Sequence, residues 1–334
     1  MNQRSEPTIV KLASAVLGVA LIGLGPGGCG PQTFVIGVGP GEKKLKATVV
    51  QRDVVPSGGR RVAIVDVSGM IVNMNQFGLL EEGEHPVSLL HEQLERARKD
   101  NRVRAIILRL NTSGGTVTAS DAMYREVMRF KKRSSKPVVA MLMDVAASGG
   151  YYVACSADRI ITYPTSITGS IGVIFQTVSV QPALNRIGVH TDAIVSGPNK
   201  AAGSWLSAMD PEQRIILQKL VDDFYHRFVA LVRTTRPNIT DDDFESVVDG
   251  RVISGNTAVE MGLADATGDL YDAWADAKRL AGVKTADLVH YHRPLRFVGS
   301  PYAHRPTGTV EVNLAKINLN GLAAPVGFYY LWQP

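Results

Sequence analysis

The chain has 334 residues, of which 45% are hydrophobic and 20% charged, and its formal net charge is +5. This length allows one large or two small domains. The basic residues are scattered and are not interleaved with aromatic residues, which argues against nucleic-acid recognition and favours mild attraction to membrane headgroups. Its two cysteines, Cys29 and Cys155, cannot build a disulfide framework. The composition agrees with a globular enzyme.

The N-terminus carries features of an export signal. Arg4 and Lys11 precede the apolar run 12–24, which is short for a membrane span but typical of a signal h-region. Small residues then lead to Cys29, as in a lipoprotein signal, although Pro26 stands where an aliphatic residue is expected. We predict a signal or anchor over residues 1–29, membrane anchoring in the bacterial cell envelope, and lipidation of Cys29 as one mode of anchoring. Cleavage or retention of the segment stays open.

A Gly/Pro-rich tether is predicted over residues 30–60, and strands then alternate with helices. Strands are expected at 62–67, 103–110 and 138–143, and helices at 87–100, 120–132, after residue 148, and from 211 to about 235. This order predicts an α/β fold of right-handed βαβ units. The apolar stripe of the long helix is expected to pack in the core or at a subunit interface.

Ser148 lies at a predicted strand-to-helix corner. It follows the apolar run 137–143 and precedes Gly149 and Gly150. A serine at such a corner is lifted clear of the sheet beside the free N–H groups of the new helix, where a hydroxyl nucleophile would be useful. The corner could equally serve packing alone.

Two loops add to this pattern. Gly114 and Gly115 follow a predicted strand, where paired glycines let backbone N–H groups approach a ligand and supply an oxyanion hole, or simply form a turn. Lys200 ends a loop that contains Gly197 and Pro198. A lysine in such a loop is usually only solvated, but beside Ser148 it would suggest a lysine-activated serine.

Histidine offers an alternative base, and His190, followed by Asp192, is nearest in sequence to the proposed site. A strand-edge or loop histidine is the simpler interpretation. His290 and His292 are isolated from other ligands, and no HExxH motif is present. We expect neither a metal nor another cofactor.

The ordered motifs resemble the signal peptide peptidase A (protease IV) family of serine peptidases, in its short, single-unit form. They are Asn-x-x-Gly-Gly at 111–115, Ala-Ala-Ser-Gly-Gly-Tyr-Tyr at 146–152, Thr-Gly-Ser-Ile-Gly at 168–172 and Ser-Gly-x-x-Lys at 196–200. The resemblance runs from about residue 61 to about residue 280.

The resemblance implies a role for each matching residue. Ser148 would be the nucleophile, Lys200 the general base and Ser170 the residue that positions the lysine amine. Gly115, with Gly114 beside it, and the N–H of Gly149 would form the oxyanion hole. It also implies a Clp/crotonase-like peptidase domain, which we assign to residues 61–285, that assembles into a homo-oligomeric ring.

The implied function is cleavage of apolar peptides, such as released signal peptides, near a membrane. The extension over residues 286–334 ends in an aromatic stretch that we expect to dock on a neighbouring subunit. Two other classes share such a fold: a crotonase-type acyl-CoA enzyme, and a non-catalytic envelope scaffold that would tolerate loss of Ser148. The physiological substrate and the ring size stay open, as does any contribution of neighbouring subunits to the active site.

Overall fold

Aliphatic runs separated by amphipathic segments fold into alternating strands and helices. The computed structural model describes residues 44–75, 84–293, 300 and 327–332. Its strands are β1 (Lys46–Gln51), β2 (Arg61–Ser68), β3 (Val103–Thr112), β4 (Gly114–Thr116), β5 (Val138–Ala147), β6 (Arg159–Thr162), β7 (Ile167–Gly169), β8 (Ile174–Gln176), β9 (Val252–Ser254), β10 (Ala266–Thr267), β11 (Asp287–His292) and β12 (Gly327–Leu331). Its helices are α1 (Pro86–Lys99), α2 (Val117–Ser134), α3 (Gly149–Ala154), α4 (Gln181–Arg186), α5 (Pro211–Thr235), α6 (Asp241–Val247), α7 (Gly255–Glu260) and α8 (Leu270–Leu280).

The main sheet has the strand order β1-β11-β2-β3-β5-β6-β10. Along this order the pairings are parallel from β11 to β10, and the edge pair of β1 with β11 is antiparallel. Beyond the part of β5 that pairs with β6, β5 pairs in parallel with β7, which in turn pairs antiparallel with β9. The end of β5 therefore lies between β3 and β7, and this is where the strand turns into α3.

Both faces of the sheet are covered, as expected for parallel strands. Successive residues of β2 alternate between two apolar clusters, with Val65 in the larger and Ile64 in the smaller. The larger cluster also contains residues of α1, α2 and α5, and the smaller contains Leu270 and Ala273 of α8.

A second sheet has three strands in the order β4-β12-β8, and both of its pairings are antiparallel. β4 follows β3 after one residue and leads directly into α2, whose N-terminus is capped by the Thr116 side chain. This small sheet therefore extends outward from the carboxyl ends of the main strands.

The predicted α/β class and element order are confirmed, including the long helix, which spans Pro211–Thr235. The limits of the domain differ from the prediction. β1 lies within the predicted tether, and β11 lies beyond residue 285, yet both belong to the main sheet. β11 pairs with the edge of β2 that β3 does not use, and β1 pairs with the outer edge of β11. Both strands therefore belong to the main sheet, although they lie outside the predicted domain limits.

The aromatic end of the chain was expected on a neighbouring subunit, but β12 pairs with two strands of its own chain. Residues 1–29, including Cys29, lie outside the described residues. Among the residues that are described, no helix combines the length and apolar character required to cross a membrane.

Candidate active site

Ser148 occupies the single residue between β5 and α3, and its backbone is strained. Its φ of 52° and ψ of −113° lie in a region that residues with a side chain rarely adopt. Two backbone hydrogen bonds hold it there: its N–H donates to the Gly169 carbonyl at 2.8 Å, and its carbonyl accepts from the Tyr152 N–H at 2.9 Å. Its hydroxyl does not cap α3. Among the described residues the hydroxyl has no hydrogen-bond partner, so it would be available as a nucleophile at the start of this helix.

Gly114 and Gly149 border the same small space. A methyl carbon on Gly114 would lie 2.7 Å from the Gly149 amide nitrogen and 2.1 Å from the carbonyl oxygen of Tyr330. A methyl carbon on Gly149 would lie 3.0 Å from that same oxygen. Only glycine therefore fits at both positions, and a peptide carbonyl fills the space between them.

Gly115 completes this arrangement from β4. It stands opposite Tyr330 in the antiparallel register of β4 with β12. Its other side is closed, since a methyl carbon there would lie 1.9 Å from the carbonyl oxygen of Ile71. Ile71 also holds the flanking residues, donating to the Gly114 carbonyl and accepting from the Thr116 N–H, both at 2.8 Å. β4 is therefore held by Ile71 on one edge, and its other edge pairs with an extended chain, β12.

Ser170 lies beside the corner at Ser148. It follows directly on Gly169, whose carbonyl accepts the Ser148 N–H, and its own N–H donates to the Arg251 carbonyl at 2.7 Å. Its φ of 51° is again in the left-handed region. The structure therefore brings together five of the predicted site residues, namely Gly114, Gly115, Ser148, Gly149 and Ser170.

Among the described residues, no hydrogen bond or ion pair joins Lys200 to this group. It is exposed and lies in a turn, where its N–H donates to the Gly197 carbonyl at 3.1 Å. Within the described part of the chain, its amine has neither a hydrogen bond nor an ion pair. The single chain therefore does not supply the apolar surroundings that a lysine base needs.

None of the described histidines is placed to act as a base for Ser148 instead of Lys200. His190 is exposed, and His290 is buried and hydrogen-bonded to Asp66 at 2.7 Å. None of the histidines in the described residues is hydrogen-bonded to Ser148. Groups of three or more His, Cys, Asp or Glu residues suited to a metal are likewise absent from the described residues.

Comparison with known proteins agrees with the geometry. Residues 130–284 match the model of the family described as Peptidase family S49. The chain is 34% identical to Protease 4 of Salmonella typhi over 233 residues, which are 70% of this chain but only 37% of that protein. It is 31% identical to a Synechocystis protein named as a protease over 224 residues, which are 67% of this chain and 76% of the relative.

The chain belongs to peptidase family S49. A further relative, from Enterococcus faecium, is named as a signal peptide peptidase SppA and is 28% identical over 235 residues, which are 70% of this chain and 68% of that protein. The predicted resemblance and the serine peptidase class are therefore both confirmed.

Two features of this S49 site were missed by the sequence prediction. Ser120 is fully buried in the first turn of α2, and a methyl carbon on Gly149 would lie 2.4 Å from its Oγ. Tyr330 places its carbonyl between the glycines. The aromatic stretch near the C-terminus was the sequence signal for Tyr330. It was predicted to dock, but on a neighbouring subunit.

Proposed function

We propose that this chain is a membrane-anchored endopeptidase of the cell envelope that cleaves extended apolar peptides, such as released signal peptides, through Ser148. One observation carries the proposal. β12 lies as an extended chain between β4 and β8, with the Tyr330 carbonyl against Gly114 and Gly149. A substrate bound by strand addition would occupy this same position.

In the proposed reaction, the Ser148 Oγ attacks the carbonyl carbon of the bound peptide and gives its proton to the Lys200 amine. The N–H groups of Gly115 and Gly149 stabilise the oxyanion. The lysine then protonates the leaving amine as the C–N bond breaks, leaving an acyl-enzyme. Water, activated by the same amine, hydrolyses the ester and restores Ser148.

This mechanism requires an unprotonated amine, and removal from water favours that form of lysine. Lys200 is exposed in the single chain, and so are many large apolar side chains in the same part of the protein. The exposed apolar residues nearest to it in the sequence are Ile187, Val189, Ile194, Val195, Trp205, Ile215, Ile216 and Leu220. We propose that this surface packs against another copy in a homo-oligomeric ring, which buries Lys200 next to a Ser148.

The parallel sheet of βαβ units supports a Clp/crotonase-like fold for the domain. The acyl-CoA alternative would share this fold and a glycine oxyanion hole. The groove between β4 and β8, which β12 occupies, does not favour the acyl-CoA alternative. The facing strand edges of this groove suit the backbone of an extended peptide.

The test is hydrolysis of an internally quenched apolar peptide by the full chain and by Ser148→Ala and Lys200→Ala. Ser135→Ala is the matched control for the first, because Ser135 has a φ of 53° but lies at the exposed end of α2. Lys132→Ala, at an exposed position, is the control for the second. Both site variants should lose activity, and both controls should keep it. Activity that survives in either site variant would refute the dyad.

A mixture of the two inactive variants tests the assembly. If Lys200 acts on Ser148 of another copy, mixed oligomers contain intact pairs and should recover part of the activity. Native mass measurement of the same mixture should show oligomers. An inactive mixture, with exchange of copies verified, would rule out a pair shared between chains.

A further inference from the structure

We infer that this site selects an aromatic residue, tyrosine above phenylalanine, on the acyl side of the bond it cleaves. This rests on the proposed function, because it treats β12 as a chain bound in the substrate position. With its carbonyl between Gly114 and Gly149, Tyr330 is the residue whose carbonyl carbon Ser148 would attack. The surroundings of its side chain therefore describe the pocket for that substrate residue.

The pocket is aromatic and closed. The Tyr330 side chain is fully buried. Its ring stacks on that of Tyr152, with centroids 5.1 Å apart and planes at 21°, and contacts the Phe228 ring at 4.8 Å. Flat rings on two sides favour a flat ring between them over a branched aliphatic side chain.

The wall formed by Tyr152 is fixed relative to the nucleophile. Its N–H donates to the Ser148 carbonyl at 2.9 Å, one turn along α3. Its hydroxyl donates to Asp121 at 2.9 Å, and the same carboxylate oxygen accepts from Arg227 at 2.7 Å. The ring is therefore anchored at both ends, so the pocket is formed before a substrate enters.

A polar group at the end of the pocket distinguishes tyrosine from phenylalanine. The Tyr330 hydroxyl donates to the backbone carbonyl of Phe224 at 2.8 Å. Burial raises the pKa of Tyr330, so the hydroxyl keeps its proton and remains a donor. A phenylalanine would fill the same space without this bond, and a net hydrogen bond of this kind corresponds to about a three- to tenfold preference.

A second aromatic contact lies two residues earlier on the same face of the strand. The Phe328 ring lies 4.7 Å from Phe175 of β8 and 5.3 Å, edge to face, from Phe224 of α5. Side chains at alternate positions of a strand share one face, so the groove holds both rings at once. The preferred substrate class is thus an extended peptide with aromatic residues at these two positions.

The test compares kcat/KM for quenched heptapeptides with the sequence of residues 326–332, in which the residue at position 330 is Tyr, Phe, Leu or Ala. The full chain is used throughout, so occupancy of the groove by its own β12 affects every peptide equally. We expect the order Tyr, Phe, Leu, Ala, with about 100-fold between Tyr and Ala and cleavage after the varied residue. A control series varies the position of Leu331 and should change the rate much less.

A pocket variant provides the second measurement. Phe228→Leu keeps an apolar residue but removes one ring, and it should reduce the Phe-to-Leu ratio by about tenfold. Equal rates for all four peptides, dependent on Ser148, would overturn the inference and leave the proposed peptidase intact. Absence of any cleavage dependent on Ser148 would instead overturn the proposed function.

Discussion

The N–H of Ser148 donates to the carbonyl oxygen of Gly169 at 2.8 Å, and this bond joins the corner at Ser148 to the loop that carries Ser170. Both serines have φ values near 50°. Two strained corners, one after β5 and one after β7, are therefore held side by side. Backbone strain of this kind persists where the surrounding structure fixes it, and it is frequent at active sites.

Ser170→Ala should reduce kcat by about 100-fold with little change in thermal stability. Its hydroxyl has no hydrogen-bond partner among the described residues, so we expect its loss to remove only the proposed positioning of the lysine amine. The matched control is Ser166→Ala, because the Ser166 Oγ bonds to backbone carbonyls of β5 and is structural. Ser166→Ala should lower the melting temperature but should change kcat only slightly. Equal kcat values for Ser170→Ala and the wild type would exclude the positioning role.

Gly114→Ala should reduce kcat/KM by about 10²–10³, because its methyl group would lie 2.1 Å from the carbonyl oxygen in the site. Gly114 has a φ of 105°, so some of the effect is backbone strain. Gly282→Ala separates the two effects, since Gly282 has a φ of 64° but open space around it. The control should lose about 1 kcal/mol of stability and keep its activity. Similar losses of activity in both variants would argue against an oxyanion hole at Gly114.

Tyr330→Ala should lower KM for an added peptide several-fold and leave kcat unchanged. β12 occupies the groove, so only the fraction of molecules with an open groove binds substrate, and loss of the buried ring increases that fraction. Tyr271→Ala is the control, because Tyr271 is 41% exposed on α8. An unchanged KM would mean that β12 does not compete with substrate in solution.

Much of the fold could be predicted because local patterns determine it. The aliphatic run of β5 and the small residues after it predicted both the strand and the Ser148 corner, and the glycine pairs predicted where chains approach closely. Strand partners over long separations could not be predicted in this way. β1 pairs with β11 across more than 200 residues, and nothing in the sequence of β11 marks it as the neighbour of β2.

The site residues likewise fall into those that local sequence patterns could predict and those that depend on distant contacts. Gly114, Ser148 and Ser170 belong to strand ends whose positions follow from the sheet. Lys200 lies in an exposed turn outside the sheet, and the role of base that we propose for it depends on surroundings that one chain does not supply. The buried triad of Asp66, Arg109 and His290 was missed because its members are far apart in the sequence.

Cys155 should resist alkylation in the native protein. It lies at the end of α3 and is buried, and burial raises the pKa of its thiol to about 11, so little thiolate forms at pH 8. Iodoacetamide at pH 8 should leave Cys155 unlabelled by mass spectrometry until guanidinium is added, and it should leave peptidase activity intact. Ser135→Cys, at an exposed position, is the positive control. Rapid native labelling of Cys155 would contradict its burial.

Asp66→Asn should destabilise the fold by about 3–5 kcal/mol, because it leaves a buried cation without its carboxylate. The Asp66 carboxylate accepts from Arg109 at 2.7 and 2.9 Å and bonds to His290 at 2.7 Å, across β2, β3 and β11. Burial alone would raise its pKa, but Arg109 and His290 together hold the pKa of Asp66 well below its usual range.

A carboxyl whose pKa is lowered on folding stabilises the protein above its unfolded pKa, about 3.9, and loses this contribution as pH falls. The melting temperature of the wild type should therefore stay above that of Asp66→Asn from pH 7 to about pH 4, and should approach it only as the pH falls further. Asp144→Asn, at an exposed position on β5, should match the wild type throughout. A difference between wild type and Asp66→Asn that stays constant with pH would show that Asp66 contributes through packing rather than through its charge.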